Sequence, residues 1–197
     1  MNDGSFGSIY EEMKKRGMSI PSDRVQISIP SAKEVFVKCF EYFLSFQKVD
    51  FTWHSEYEQV VSWLENNEGK GLVLYGDCGR GKTMISRFVI PAILLKYSGK
   101  VVSVYDVQDM NKNADDVLKK HILSVDDVGT EDLSVVFGNK RLVFAEIMDA
   151  VEKYGKLIII STNLNKDSIV KTYGERVFDR IIATTKRVEF KGESMRK

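Results

Sequence analysis

The sequence predicts an α/β domain built on a five-stranded, mostly parallel sheet with helices on both faces, and three observations carry that prediction. Five apolar, strand-like runs, at residues 72–75, 101–105, 122–126, 157–161 and 187–190, alternate with helical patterns. Runs of this kind, too apolar to keep one face in water, belong to a parallel sheet covered on both sides, whose ligands bind at the carboxyl ends of the strands. The first run leads directly into Gly76-Asp77-Cys78-Gly79-Arg80-Gly81-Lys82-Thr83, a G-x-x-x-x-G-K-[ST] phosphate loop set where a strand ends and a helix begins. A chain of 197 residues holds one such domain with a small extra segment and is too short for two.

Taken in order, residues 1–52 read as an N-terminal helical arm and 53–197 as the nucleotide-binding domain. Ser8-Ile9-Tyr10-Glu11 predicts a capping box opening a short helix that Gly17 stops, and Pro21 and Pro30 punctuate the loop after it. Ser31-Ala32-Lys33-Glu34 is a second such box, and the run behind it sets Phe36, Phe40, Phe43 and Leu44 on one helical face, a core face or a docking stripe. Residues 53–67 predict another helix, with Tyr57, Val60, Val61 and Leu64 on its apolar side. Pro91 falls inside the helix expected after the phosphate loop, where it costs about 3 kcal/mol in an unbroken helix, so a kink or break is expected there.

Lysine and arginine number 29 against 28 acidic residues, so no overall field draws the chain to nucleic acid or membrane. Cys39 and Cys78 form no framework, the N-terminus lacks a signal-like apolar stretch, and the longest apolar runs fall well short of the roughly 20 residues that span a bilayer. A cytoplasmic protein without a membrane segment is expected.

The loop glycines let successive N–H groups turn inward on phosphate, and the helix behind adds the positive end of its dipole. Candidate nucleotide contacts therefore run through Gly76, Asp77, Cys78, Gly79, Arg80, Gly81, Lys82, Thr83 and Met84, with Lys82 on the β- and γ-phosphates of ATP and the Thr83 hydroxyl on Mg²⁺. Cys78, at the start of a helix, is either an oxidisable thiol or a tolerated small residue. After the third run, Val125-Asp126-Asp127-Val128-Gly129 sets two carboxylates at the mouth of the sheet: Asp126 for the metal, Asp127 to orient the attacking water. The fourth run turns polar at Ser161-Thr162-Asn163, which nominates Asn163, with Thr162 as rival, to hold water or the γ-phosphate. Arg176 and Arg180 lie one helical turn apart on one face. Arg196 stands just beyond the last strand, where its charge reaches back to the nucleotide.

Ordered together, these segments resemble the AAA+ family of bacterial helicase-loader and transposase-helper ATPases, the DnaC/IstB type, over residues 53–196. The likeness rests on residues 68–76 leading into the loop, on Val125-Asp126-Asp127-Val128-Gly129-Thr130-Glu131, on Ile159-Ile160-Ser161-Thr162-Asn163-Leu164, on Tyr173-Gly174-Glu175-Arg176 through Arg180, and on Gly192-Glu193-Ser194 with Arg196. The resemblance implies an AAA+ core lacking the helical lid, with Asn163 as sensor 1 and Arg196 as sensor 2. It also implies an arginine finger, Arg180 with Arg176 as the alternative, that completes a neighbouring subunit's site in a homo-oligomer. Implied partners are a replicative helicase or a transposase, with single-stranded DNA touched through Lys112, Lys119, Lys120, Lys140 and Arg141. Three features depart from the family: a link of only 15 residues, 106–120, between the second and third strands, an arm without a zinc-ligand pattern, and Cys78 at a loop position where the family generally carries a small residue or proline. The expected activity is Mg²⁺-dependent ATP hydrolysis. The competing expectation is an adaptor that clamps a partner in its ATP state and hydrolyses little; a small-molecule kinase lacks a visible acceptor lid and base.

Overall fold

The computed structural model describes residues 4–18, 20, 22–130, 134–136 and 139–195. The first helix, α1 (Gly4–Lys15), begins before the expected capping box, which therefore lies inside it. Its end is as expected: Gly17, at φ 67°, lets the Met18 N–H turn back to the Met13 carbonyl. Pro21 lies outside the described residues.

Residues 22–30 then run extended along the core, held by one fully buried side chain. Asn67 accepts the Ile27 N–H at 2.8 Å and donates to the carbonyls of Val25 and Lys70 at 2.9 and 3.0 Å. Asn67→Ala removes the partner of the Ile27 N–H and of the Val25 carbonyl, while the Lys70 carbonyl keeps the Trp63 indole. It is expected to destabilise the protein by about 2–3 kcal/mol, read as a lowered midpoint in thermal or urea unfolding.

Helix α2 (Ala32–Ser45) forms without the predicted capping box. Ser31 sits in the left-handed region, φ 50°, and makes no side-chain cap, while its carbonyl accepts the Val35 N–H. The predicted face does turn inward: Phe36 and Phe40 are buried, Phe43 and Leu44 partly so. Helix α3 (Glu56–Glu65) starts three residues later than expected and buries Tyr57, Val60, Val61 and Leu64, along with Trp63, whose indole N–H reaches the Lys70 carbonyl. Residues 27–44 of the expected arm thus share one apolar cluster with α3 and the sheet.

The five expected strands are present as β1 (Gly71–Gly76), β2 (Ser103–Asp106), β3 (Ile122–Val128), β6 (Leu157–Thr162) and β7 (Thr185–Phe190), in the order β2-β3-β6-β1-β7. Every pairing is parallel. Alternation along the strands builds a core on each face. Leu72, Leu74 and Ile159 pack with α2, α3 and α5 (Ile90–Ser98). Val73, Ile158 and Ile160 pack on the other face with α6 (Val107–Lys112), α7 (Ala114–Lys119), α8 (Val143–Tyr154), α9 (Lys166–Tyr173) and α10 (Glu175–Thr184). A short antiparallel hairpin, β4 (Ser134–Val136) with β5 (Asn139–Arg141), was not expected.

The helical stretch after the phosphate loop answers Pro91 with a change of pitch. It opens as α4 (Lys82–Met84), widens into a π-turn over Ile85–Val89, and continues as α5. The Ile90 N–H reaches the Ile85 carbonyl, so in that register Pro91 faces the Ser86 carbonyl with no N–H to give. Ser124 of β3 donates its hydroxyl to that carbonyl at 2.8 Å and removes the deficit. No helix among the described residues is long and apolar enough to cross a membrane.

Candidate functional site

β1 occupies an inner position of the sheet, between β6 and β7, and its carboxyl end is the phosphate loop. Gly79 and Gly81 stand at φ 76° and 90°, a region side chains rarely adopt. A Cβ on Gly81 would also press on the rings of Phe40 and Tyr57 at 3.2 Å. Lys82 begins the helix, and its ammonium donates to the carbonyls of Gly76 and Asp77 at 2.9 and 2.7 Å, closing the loop from beneath. Burial pushes the Lys82 pKa down, against an upward pull from Cys78, Asp127, Asp77 and Asp126.

Arg80 points into a different network. Its Nη2 lies 2.6 Å from Glu56 Oε1 and 3.1 Å from His54 Nδ1, and its Nη1 reaches toward the Glu193 carbonyl. Burial, then the Arg80 charge, holds the His54 pKa below the ordinary histidine value, which suits an imidazole accepting at Nδ1. The segment beyond β7 lies along the loop: the Gly192 N–H donates to Asp77 Oδ2 at 2.9 Å and the Met195 N–H to the Gly79 carbonyl at 3.0 Å. Arg196 itself lies outside the described residues.

Asp126 and Asp127 fall on an irregularity of β3, where the pairing with β6 shifts register between Val125 and Val128. Asp126 is 2% exposed. Its Oδ1 accepts hydroxyl hydrogen bonds from Ser86, at 3.0 Å, and from Ser161, and Arg87 Nη1 approaches its Oδ2 at 3.8 Å. Asp127, at φ 56°, is exposed. The two carboxylates are therefore separated, one into the core and one toward the solvent-filled mouth. The Thr162 hydroxyl is engaged within the fold: it donates to the Val128 carbonyl at 2.6 Å and accepts the Leu164 N–H. Asn163, next in the chain, is exposed.

Lys82, Thr83, Met84, Cys78, Asp127 and Asn163 line a single cavity of about 1050 Å³. The rest of its lining is largely apolar and aromatic, with Phe40, Leu44, Phe51, Tyr57 and Phe88, the Phe51 and Tyr57 rings stacked at 28°. Sequence reasoning missed this part of the lining. Phe40 and Tyr57 carry the helical spacing of core residues, and Phe51 lies in an unpatterned loop; only their common distance from the phosphate loop in space makes them a site. Such a cavity, lined by both charged and aromatic side chains, is suited to a ligand with phosphate and a planar ring.

Arg176 and Arg180 lie on α10 and do not line this cavity. Arg180 is 12% exposed in its side chain and pairs with Asp149 at 2.6 Å and Glu152 at 2.8 Å on α8. Arg176 is exposed. Of the expected DNA contacts, Lys112 and Lys120 pair with Asp109 and Asp116 close by in sequence, and Lys119 is exposed. Lys140 and Arg141 belong to β5, whose side chains lie outside the described ones.

Residues 37–197 match the family model of the IstB-like ATP binding protein. No curated protein sequence gives a significant match. Among solved structures, the DnaC helicase loader superposes with a TM-score of 0.58 at 22% identity, over 72% of this chain and 94% of that one. DnaI gives 0.52 at 20% identity over 83% and 96%, and AMPPCP-bound DnaA from Aquifex aeolicus 0.55 at 18% identity over 73% and 49%. At these identities the likeness is one of fold.

Proposed function

Because the chain belongs to the family of IstB-like ATP binding proteins, we propose that it binds and hydrolyses Mg²⁺-ATP and assists DNA replication, as a helicase loader, or transposition. One observation carries this reading: Lys82, Thr83, Asp127 and Asn163, drawn from three separate segments, converge on one cavity that aromatic side chains also line. The amides of residues 77–83 and the Lys82 ammonium would take the phosphates, releasing that ammonium from the loop carbonyls it now serves. Hydroxyl and carboxylate are hard oxygen donors of the kind Mg²⁺ takes. Thr83, which lines the cavity, would hold it, and Asp126, buried behind the mouth against Ser86 and Ser161, would act on it through water; when bound the ion neutralises phosphate charge. Asp127 would orient the attacking water and Asn163 would steady water or the γ-phosphate. Arg196 would reach the same nucleotide.

Asp127→Asn keeps the shape and removes the base. It is expected to lower the hydrolysis rate about 10²–10⁴-fold while ATP affinity is retained, measured by phosphate release and by equilibrium titration. A rate equal to wild type would place the base elsewhere.

The ion pairs of Arg180 within its own chain favour a second reading, an adaptor that binds ATP and hydrolyses little. The same variant separates the two. An adaptor keeps a replicative helicase or transposase bound when Asp127 is lost, whereas a motor loses turnover and function together. The helicase partner is supported by the DnaC and DnaI likeness. Single-stranded DNA contact through the lysines of α6 and α7 predicts affinity that falls steeply with salt, in proportion to the phosphates neutralised.

A further inference from the structure

The bulge that separates the two aspartates needs something to hold it. Asp127 is a non-glycine residue at φ 56°, and the ladder between β3 and β6 is interrupted at this point. A fully buried hydroxyl on the neighbouring strand takes over. Ser161 Oγ accepts the Asp127 N–H at 3.1 Å and donates its own proton to Asp126 Oδ1. The two bonds use both capacities of one hydroxyl, so the buried and the exposed aspartate are joined through a single atom. Ser86 makes a second hydrogen bond to the same Asp126 oxygen, at 3.0 Å, and to that carboxylate alone of the pair. Ser161 stands on β6 two residues before Asn163, so one strand end supplies both the brace of the bulge and the polar group at the cavity.

We infer that Ser161 is a positioning residue: by bridging the Asp126 carboxylate and the Asp127 amide it sets the direction in which Asp127 presents its carboxylate to the cavity. The inference rests on the reading of the chain as an ATP hydrolase with Asp127 as base. Ser161 touches neither nucleotide nor water in this role. It acts by keeping a left-handed residue in place, and a misplacement of about 1 Å in such a group costs on the order of 10²-fold in rate.

The test compares wild type, Ser161→Ala and Ser86→Ala in three measurements: amide hydrogen exchange over residues 125–129, ATP affinity, and the single-turnover rate at saturating ATP. For Ser161→Ala the expected result is faster exchange at Asp127, a rate lowered about 10²-fold, and affinity within about threefold of wild type. Ser86→Ala, which leaves the Asp127 amide held, is expected to lose less of the rate and to leave exchange at Asp127 unchanged. Should Ser161→Ala fail to fold, Ser161→Cys replaces it, since it keeps a side chain of similar shape with a weaker hydrogen bond. Unchanged exchange at Asp127, a rate within about twofold of wild type, or rate and affinity falling together would each overturn the inference. Wild-type protein that binds ATP without hydrolysing it overturns the hydrolase reading instead, and the exchange measurement then decides alone whether Ser161 braces the bulge.

Discussion

Lys82→Ala protein is expected to fold normally and to bind ATP at least about tenfold more weakly than wild type, with no measurable hydrolysis. The lysine is buried and its charged group lies against two loop carbonyls, so the loop already holds a cation where phosphate oxygens would arrive. A charge-assisted hydrogen bond contributes about 1.5–3 kcal/mol, and Lys82 is expected to make more than one to the triphosphate. The effect on folding works the other way. Burial disfavours the ammonium, so its removal relieves a desolvation cost while leaving two carbonyls that water can reach through the open mouth. Fluorescent-nucleotide titration alongside a thermal melt measures both. Undiminished affinity in the variant would mean that nucleotide binds somewhere other than this loop.

Hydrolysis per chain is expected to rise with protein concentration and to fall about 10³-fold when the finger arginine is replaced, with ATP affinity preserved. The arginine within the loop does not substitute for a finger, because Arg80 is engaged by Glu56 and His54. Arg180 has partners of its own, Asp149 and Glu152, but both carboxylates are about half exposed. Ion pairs of that kind contribute about 0–1 kcal/mol each, whereas a finger supplies about 4–7 kcal/mol of transition-state stabilisation, so the hydrolase reading has a neighbour's phosphates displace these pairs and the adaptor reading leaves them in place. Arg176, exposed one turn away, is the alternative. Phosphate release measured over a dilution series for Arg180→Ala and Arg176→Ala identifies the finger as the variant that abolishes the concentration dependence. A fast, constant rate per chain down to dilute monomer would contradict a finger supplied by a neighbour.

The strands and the phosphate loop were legible because their causes are local. A buried parallel strand needs a short apolar run, and a phosphate loop needs glycines and a lysine at fixed spacing. The two-faced core follows from the alternation that puts Leu72 and Val73 on opposite sides of the sheet. Helix starts were less legible. Ser31 carries the composition of a capping residue, yet the chain enters α2 through a left-handed turn that leaves its hydroxyl unable to cap. The hairpin of β4 and β5 is built from strands of three residues each, too short to show a period.

The candidate site was legible as a set of residues and not as a set of contacts. Asp126 and Asp127 are adjacent letters, and only the register shift of β3 shows that one is core and the other mouth. The rivalry between Thr162 and Asn163 turns on a hydrogen bond from Thr162 to Val128, 34 residues away in sequence. Arg80 reads as a phosphate contact until Glu56, 24 residues earlier, is seen to hold it. Pro91 was visible as a disturbance, but the π-turn that absorbs it depends on a serine from another strand.

The most direct test of the central claim is calorimetric titration of the whole chain with ATP in the presence of Mg²⁺. Saturable uptake of one ATP per chain, lost or strongly weakened in Lys82→Ala, is the result expected if the cavity lined by the phosphate loop is a nucleotide site. Folded wild-type protein, verified by circular dichroism and a cooperative melt, that takes up no ATP would contradict it.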